Sequence, residues 1–163
     1  MTVIAIDGPA GAGKTTLAEK FLNIYSVNQS VAVIHMDDLY NGWNNPLSKD
    51  LTLRMGSILK RFSLGETFDI EIYNWTTMSF DGVQRIQPSN ILIIEGVGAG
   101  QQIVRDSGAT TYWLDIEPEI GLQRVLARDG QEIEVFMHQW QVDQEVHFLR
   151  DKTRENAQHI QSS

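Results

Sequence analysis

The chain has 163 residues and no cysteine. Disulfides and thiolate-held metals are therefore excluded, and a reducing compartment suits the composition. Basic residues are scarce: 13 Lys and Arg stand against 21 Asp and Glu, a formal net charge of −8. A nucleic-acid binder carries a basic patch or stripe, so no nucleic-acid partner is expected. A small anion needs only one local positive site and is not excluded. Histidine occurs four times and never as H-E-x-x-H, which leaves no case for that kind of zinc site. No apolar run approaches the roughly 18 residues of a membrane span. The N-terminal residues show neither a basic leader nor a small-residue cleavage site. The expectation is a cytoplasmic protein with no membrane partner. No long exposed apolar segment for docking a protein is seen either, and oligomeric state stays open.

What is present is an ordinary globular mixture, 42% hydrophobic and 21% charged, of a length that suits one domain. Short apolar runs at Val3–Ile6, Val31–Ile34, Ile91–Ile94 and Thr110–Ile116 read as strands. Helical spacing marks Thr15–Tyr25, Asp50–Phe62, a stretch from Pro118 to about Ala127, and most of Gln131–Ala157. Phe68–Trp75 and Phe80–Ile86 alternate and read as a hairpin. Strands alternating with helices, the strands continuously apolar, argue a parallel sheet covered on both faces. The closing "HIQSS" reads as a frayed end or a short edge strand.

The strongest local signal is "GPAGAGKT", Gly8 to Thr15, which fits G-x-x-x-x-G-K-[ST] between a strand and a helix. Such a loop wraps backbone N–H groups around phosphate oxygens, and its glycines allow the close approach. Gly8, Ala10, Gly11, Ala12, Gly13, Lys14, Thr15 and Thr16 are the expected phosphate contacts. Lys14 would reach the β- and γ-phosphates, and Thr15 would offer a hydroxyl to Mg²⁺. The reading is a nucleoside triphosphate site.

Three further stretches bear on what is done with it. Asp37 and Asp38 follow the second strand, where a second substrate could lie beside the γ-phosphate, or where acids could simply cap a turn. Adjacent residues in an extended segment point to opposite sides, so only one acid is expected to face the phosphate. Glu95 ends the central strand, where a carboxylate can hold Mg²⁺ directly or through water. Arg124 and Arg128 share a helix face beside Asp129-Gly130, a corner that suggests a lid, though both fit an ordinary surface helix. Tyr73 and Trp75 lie on the hairpin, one side of which is core and the other able to stack a flat substrate. Glu145, His147, Asp151 and Arg154 gather near the C-terminus, and His147, Asp151 and Arg154 fall on one face of the expected helix, as an ion-pair cluster or as a functional one.

The segments "GPAGAGKTT", "HMDDLYNGW", "YNW", "IIEGVGAG", "LARDG" and "EVHFLRDKTRE", in that order, resemble the uridine kinase-like branch of P-loop kinases, particularly its small bacterial members. The resemblance covers residues 2 to 158. It implies one P-loop kinase-like domain over 1–163: a three-layer α/β sandwich with a five-stranded parallel sheet, order 2-3-1-4-5, helices on both faces and a small lid. It implies ATP and Mg²⁺, with Thr15 and Glu95 serving the metal. Asp37 would be the general base, Tyr40, Tyr73 and Trp75 would line the acceptor pocket, and Lys14, Arg124 and Arg128 would attend the phosphates. Two positions depart from the pattern. No histidine lies between Tyr73 and Pro88, and Asn74 stands where small relatives often read aspartate.

The expected activity is phosphate transfer from ATP to an alcohol group of a nucleoside-like acceptor. The alternatives are another small acceptor (a nucleotide, a sugar acid, a cofactor precursor), or nucleotide binding without small-molecule kinase activity.

Overall fold

The computed structural model describes all 163 residues. In chain order they form β1 (Thr2–Asp7), α1 (Lys14–Tyr25), β2 (Val31–His35), α2 (Lys49–Ser63), β3 (Phe68–Asn74), β4 (Ser79–Ile86), β5 (Ile91–Glu95), α3 (Gln102–Asp106), β6 (Thr110–Asp115), α4 (Pro118–Asp129), α5 (Glu134–Asp151) and β7 (His159–Ser162). Five strands make one parallel sheet in the order β2-β5-β1-β6-β7. With the separate β3-β4 hairpin set aside, the five sheet strands counted along the chain read 2-3-1-4-5. The C-terminal residues supply the edge strand β7.

Continuous apolar strands follow from burial on both faces. Ala5, Ile34, Leu92, Ile94 and Trp113 join one core cluster, with Leu51, Met55, Ile58, Leu59 and Phe62 of α2. Their neighbours Ile4, Ile6, Ile91, Ile93 and Leu114 join the other, against Ala12 and Ala18 of the α1 side. α2 starts where the Ser48 side chain accepts from the Leu51 N–H (3.3 Å) and ends with Lys60 and Arg61 in its last turn, both favourable to the helix dipole. The hairpin is tied to β2 by Gln84, whose Nε2 donates to the Val33 carbonyl at 3.0 Å.

Several details differ from the sequence reading. α5 stops at Asp151 because Lys152 turns into the left-handed region (φ 53°). Arg154 is thus beyond the helix, and its guanidinium grips Asp115 through two bonds of 2.9 Å. Asp151 instead pairs with Arg105 of α3 at 2.6 Å, while His147 is buried and Glu145 exposed. The C-terminal groups do not form one cluster. Asp37 and Asp38 lie in a 3₁₀ turn, Met36–Asp38, not in extended chain. An exposed apolar stripe does exist: Val135, Val142, Val146 and Leu149 share one side of α5. No helix is long and apolar enough to cross a membrane.

The phosphate loop meets α4 backbone to backbone. A Cβ on Gly121 would lie 2.6 Å from the Ala10 carbonyl oxygen, and one on Gly11 (φ 81°) would collide with the Gly121 carbonyl. Glycine is needed on both sides of this contact. An exposed helical Gly→Ala change gains about 1 kcal/mol. Gly121→Ala is expected to do the reverse and lower the thermal midpoint, because the added methyl pushes α4 off the loop. Differential scanning calorimetry of the variant checks it.

Candidate active site

The sheet order sets β1 between β5 and β6 and β2 beyond β5, so the carboxyl ends of β1, β2 and β5 lie side by side. Ile6 is in register with Glu95, and His35 with Glu95. Ligands bind at such strand ends in open α/β sheets. A cavity of about 670 Å³ opens there.

The phosphate loop forms one wall. Gly13, in the left-handed region at φ 87°, turns the chain into α1. Ala10, Gly11, Gly13, Lys14, Thr15 and Thr16 line the cavity; Gly8 and Ala12 do not. Gly8 packs on the Leu114 backbone and gives its N–H to Asp7, and Ala12 is buried in the core on the α1 side. The Ala10 N–H is also engaged, donating to Oε1 of Gln144 at 3.0 Å. Lys14 folds back so that Nζ donates to the Pro9 carbonyl at 2.7 Å. Burial holds its pKa below the usual lysine value, against the pull of Asp7, Glu95 and Asp37.

Glu95, buried at the end of β5, accepts from the Thr15 hydroxyl at 3.2 Å and faces Nδ1 of His35 at 2.6 Å. That contact raises the His35 pKa, so the imidazole favours its charged form. The Thr15 hydroxyl and Glu95 carboxylate are hard oxygen donors. Mg²⁺ takes few protein oxygens and fills its shell with water and phosphate, so this pair fits it. No group of three or more His, Cys, Asp or Glu is arranged to hold a metal by protein alone.

Both aspartates of the 3₁₀ turn line the cavity. The turn removes the strict alternation expected of extended chain, so both can face the same space. Asp37 is open on its cavity side yet packed round by protein, and that crowding, then the charge of Glu95, raises its pKa; Lys14 and Arg128 oppose the rise. Arg124 and Arg128 of α4 complete the wall, with Arg124 donating to the Gly11 carbonyl (3.3 Å) and Arg128 paired with Asp129 (2.6 Å).

The aromatic residues are arranged differently from the expectation. Tyr40 is fully buried, its hydroxyl donating to the Val97 carbonyl at 2.7 Å, and Tyr73 is buried against Trp75 and Phe80. Neither lines the cavity; both support its wall from behind. Trp75 does line it, and its Nε1 donates to the Asp37 carbonyl at 3.0 Å. Trp43, Trp140, Ile133 and Met137 line it too and were not singled out from sequence. The helical spacing of Ile133, Met137 and Trp140 was the available signal.

Asp7, also unremarked in the sequence, is the buried group on which this region hangs. It accepts three backbone N–H groups, from Gly8 (2.7 Å), Gly98 (2.9 Å) and Gly100 (2.8 Å). Burial nevertheless dominates and raises its pKa from 3.8 to about 6.

No protein-family model matches the chain. Over 148 residues it is 27% identical to the uridine kinase of Chlamydia pneumoniae, covering 81% of this chain and 65% of that protein. Over 151 residues it is 30% identical to the inorganic pyrophosphatase TTM2 of Arabidopsis thaliana, covering 84% of this chain but 22% of that protein. The chain thus spans just under two thirds of the first of these relatives and under a quarter of the second. A solved structure described as a possible uridine kinase from Bacillus stearothermophilus superposes with a TM-score of 0.71 at 18% identity, over 98% of this chain and 87% of that one. The chain is thus similar in sequence to uridine kinases, and its fold is that of P-loop kinases. Its sheet, hairpin and phosphate loop are those of the P-loop kinase fold.

The raised Asp7 pKa has a definite sign. The folded state holds a proton on Asp7 to higher pH than the unfolded chain does, so this group's stabilising contribution is complete below pH 3.8 and is lost as pH rises through about 6. Asp7→Asn cannot titrate and is expected to lack that decline. Urea unfolding of both proteins at pH 4.5 and 7 checks it: the stability difference should move in the variant's favour at the higher pH.

Proposed function

We propose that this protein is a kinase that transfers the γ-phosphate of ATP to a hydroxyl group of a small acceptor. The observation that carries the reading is the convergence on one cavity of the phosphate loop with Lys14, the arginines of α4, and a carboxylate turn opposite an aromatic wall. The likeness to uridine kinases supports a nucleoside-sized acceptor, while the missing hairpin histidine argues against uridine itself.

In this reading the acceptor oxygen attacks the γ-phosphorus and ADP leaves. Asp37 takes the hydroxyl proton. The phosphate loop and Lys14 hold the β- and γ-phosphates, and Arg124 and Arg128 meet the charge that spreads over the transferring oxygens. Mg²⁺, held by Thr15 and Glu95, would neutralise phosphate charge. Asp37 is preferred over Asp38 as the base because it feels Lys14 and Arg128, the cations of the phosphate site, whereas Asp38 feels His35 and Glu95. Its raised pKa makes it a stronger base than an ordinary carboxylate.

The test is ADP release measured across nucleosides, nucleotides, sugars and amino alcohols. With the acceptor so found, Asp37→Asn is expected to lower kcat by about 10²- to 10⁴-fold with ATP affinity kept. Asp38→Asn should cost much less in kcat at saturating acceptor, and the opposite order in single-turnover rates would move the base to Asp38. Arg128→Ala is expected to lower kcat by more than about tenfold, or about 1.4 kcal/mol of barrier, as read by the same assay. Normal turnover in that variant would return α4 to an ordinary surface helix.

A further inference from the structure

The lining of the cavity is unusual in what it omits. Apart from the phosphate loop, the arginines of α4 with Asp129, and Glu95, its side chains are Asp37, Asp38, Trp43, Trp75, Trp140, Val97, Val125, Ile133 and Met137. No asparagine, glutamine, serine, tyrosine or histidine is among them. A sugar or the hydrogen-bonding edge of a base could donate to the two carboxylates, but its acceptor atoms would find no side-chain amide or hydroxyl beside the aspartate turn. Buried polar groups left unpaired cost affinity.

The charges point the same way. Lys14, Arg124 and Arg128 belong to the phosphates. Glu95 has Thr15 and His35, and Asp129 has Arg128. Asp38, half-buried, has neither a hydrogen-bond nor an ion-pair partner for its carboxylate. An anionic acceptor would meet Asp37 and Asp38 and be repelled. A neutral acceptor could give Asp38 a hydrogen bond but no balancing charge.

Three indoles line the same cavity as this carboxylate. Trp43 meets Trp75 edge to face (4.9 Å between centroids) and Trp140 the same way (5.9 Å), while Phe136 stacks on Trp43 at 5.2 Å. Trp140 is 6% exposed and lines the cavity with the remaining edge of its ring. Among aromatic side chains, indole faces attract cations most strongly, and more so out of water. A carboxylate beside them adds a Coulombic hold.

We propose that the acceptor is a hydroxyl compound that carries a positively charged nitrogen, seated against Trp43, Trp75 and Trp140 with its charge toward Asp38. This rests on the kinase reading above. It removes nucleotides and sugar acids from the acceptor classes. The net charge of −8 favours approach of such a molecule.

Matched pairs test it. Choline and 3,3-dimethylbutan-1-ol share a shape and differ in charge, as do 1-(2-hydroxyethyl)pyridinium and 2-phenylethanol. Each is titrated into the full chain with ADP present, following tryptophan fluorescence and heat, and each is assayed for ATP-dependent ADP release. The expected result is that the cation of at least one pair binds ten times more tightly than its neutral partner or better. Asp38→Asn should shrink that ratio below threefold, with the variant's ATP affinity as the control for folding. Trp43→Leu should weaken the cation more than the neutral partner, and serves if the first variant does not fold. Equal binding within both pairs, or a ratio that survives Asp38→Asn, overturns the proposal. Preferential cation binding without ADP release from any alcohol would support the cation site and sink the kinase reading. ADP release with neutral or anionic alcohols and not with cations would leave the kinase and sink the cation site.

Discussion

One carboxylate holds the active region in register. Asp7 sits at the last residue of β1, fully enclosed, and takes N–H groups from both the start of the phosphate loop and the turn that follows β5. That turn begins one residue after Glu95. Together with the β1–β5 ladder, these backbone bonds hold the phosphate loop and Glu95 in register, and the Thr15 hydroxyl reaches Glu95 at 3.2 Å. Three donors satisfy the carboxylate, yet its enclosure still favours a proton, so the clamp stores a tension between hydrogen bonding and desolvation.

The cavity built around this clamp divides by charge. Cations come from the phosphate loop and from α4, carboxylates from the turn after β2 and the end of β5, and apolar surface from the hairpin and α5. α4 also brings Val125 and Asp129 to the wall, and the segment after β2 gives both aspartates and Trp43. In its 3₁₀ turn, Met36–Asp38, consecutive side chains are about 120° apart rather than on opposite sides as in a strand, which lets both aspartates reach the cavity.

Much of the architecture was legible in the sequence. The apolar runs gave the sheet strands because burial on both faces leaves little room for polar residues, and Ile91–Glu95 is buried throughout. The phosphate loop was legible because its glycine spacing has few other physical uses. What escaped was set by tertiary contact. Tyr40 and Tyr73 looked like ligand-facing aromatics, but each finds its partners within the protein, Tyr40 at the Val97 carbonyl and Tyr73 between Trp75 and Phe80. Trp140 comes from a helix far along the chain, and its place in the same cavity as Asp37 depends on how α5 packs. The end of α5 was misjudged because the residue that stops it is a lysine in a left-handed conformation, for which composition gives no warning.

The contact between Gly11 and Gly121 has a mechanical meaning. It lies near the start of α4, and the helix runs on from there toward Arg124 and Arg128. With no side chain on either partner, the two backbones bear directly on each other, and the point acts as a fulcrum. Arg128 stands seven residues beyond it, about 10 Å along the helix axis, so a tilt of about 10° carries its Cα roughly 2 Å. A tilt of α4 about this contact would therefore move the Arg128 end of the helix farther than the end that bears on the loop.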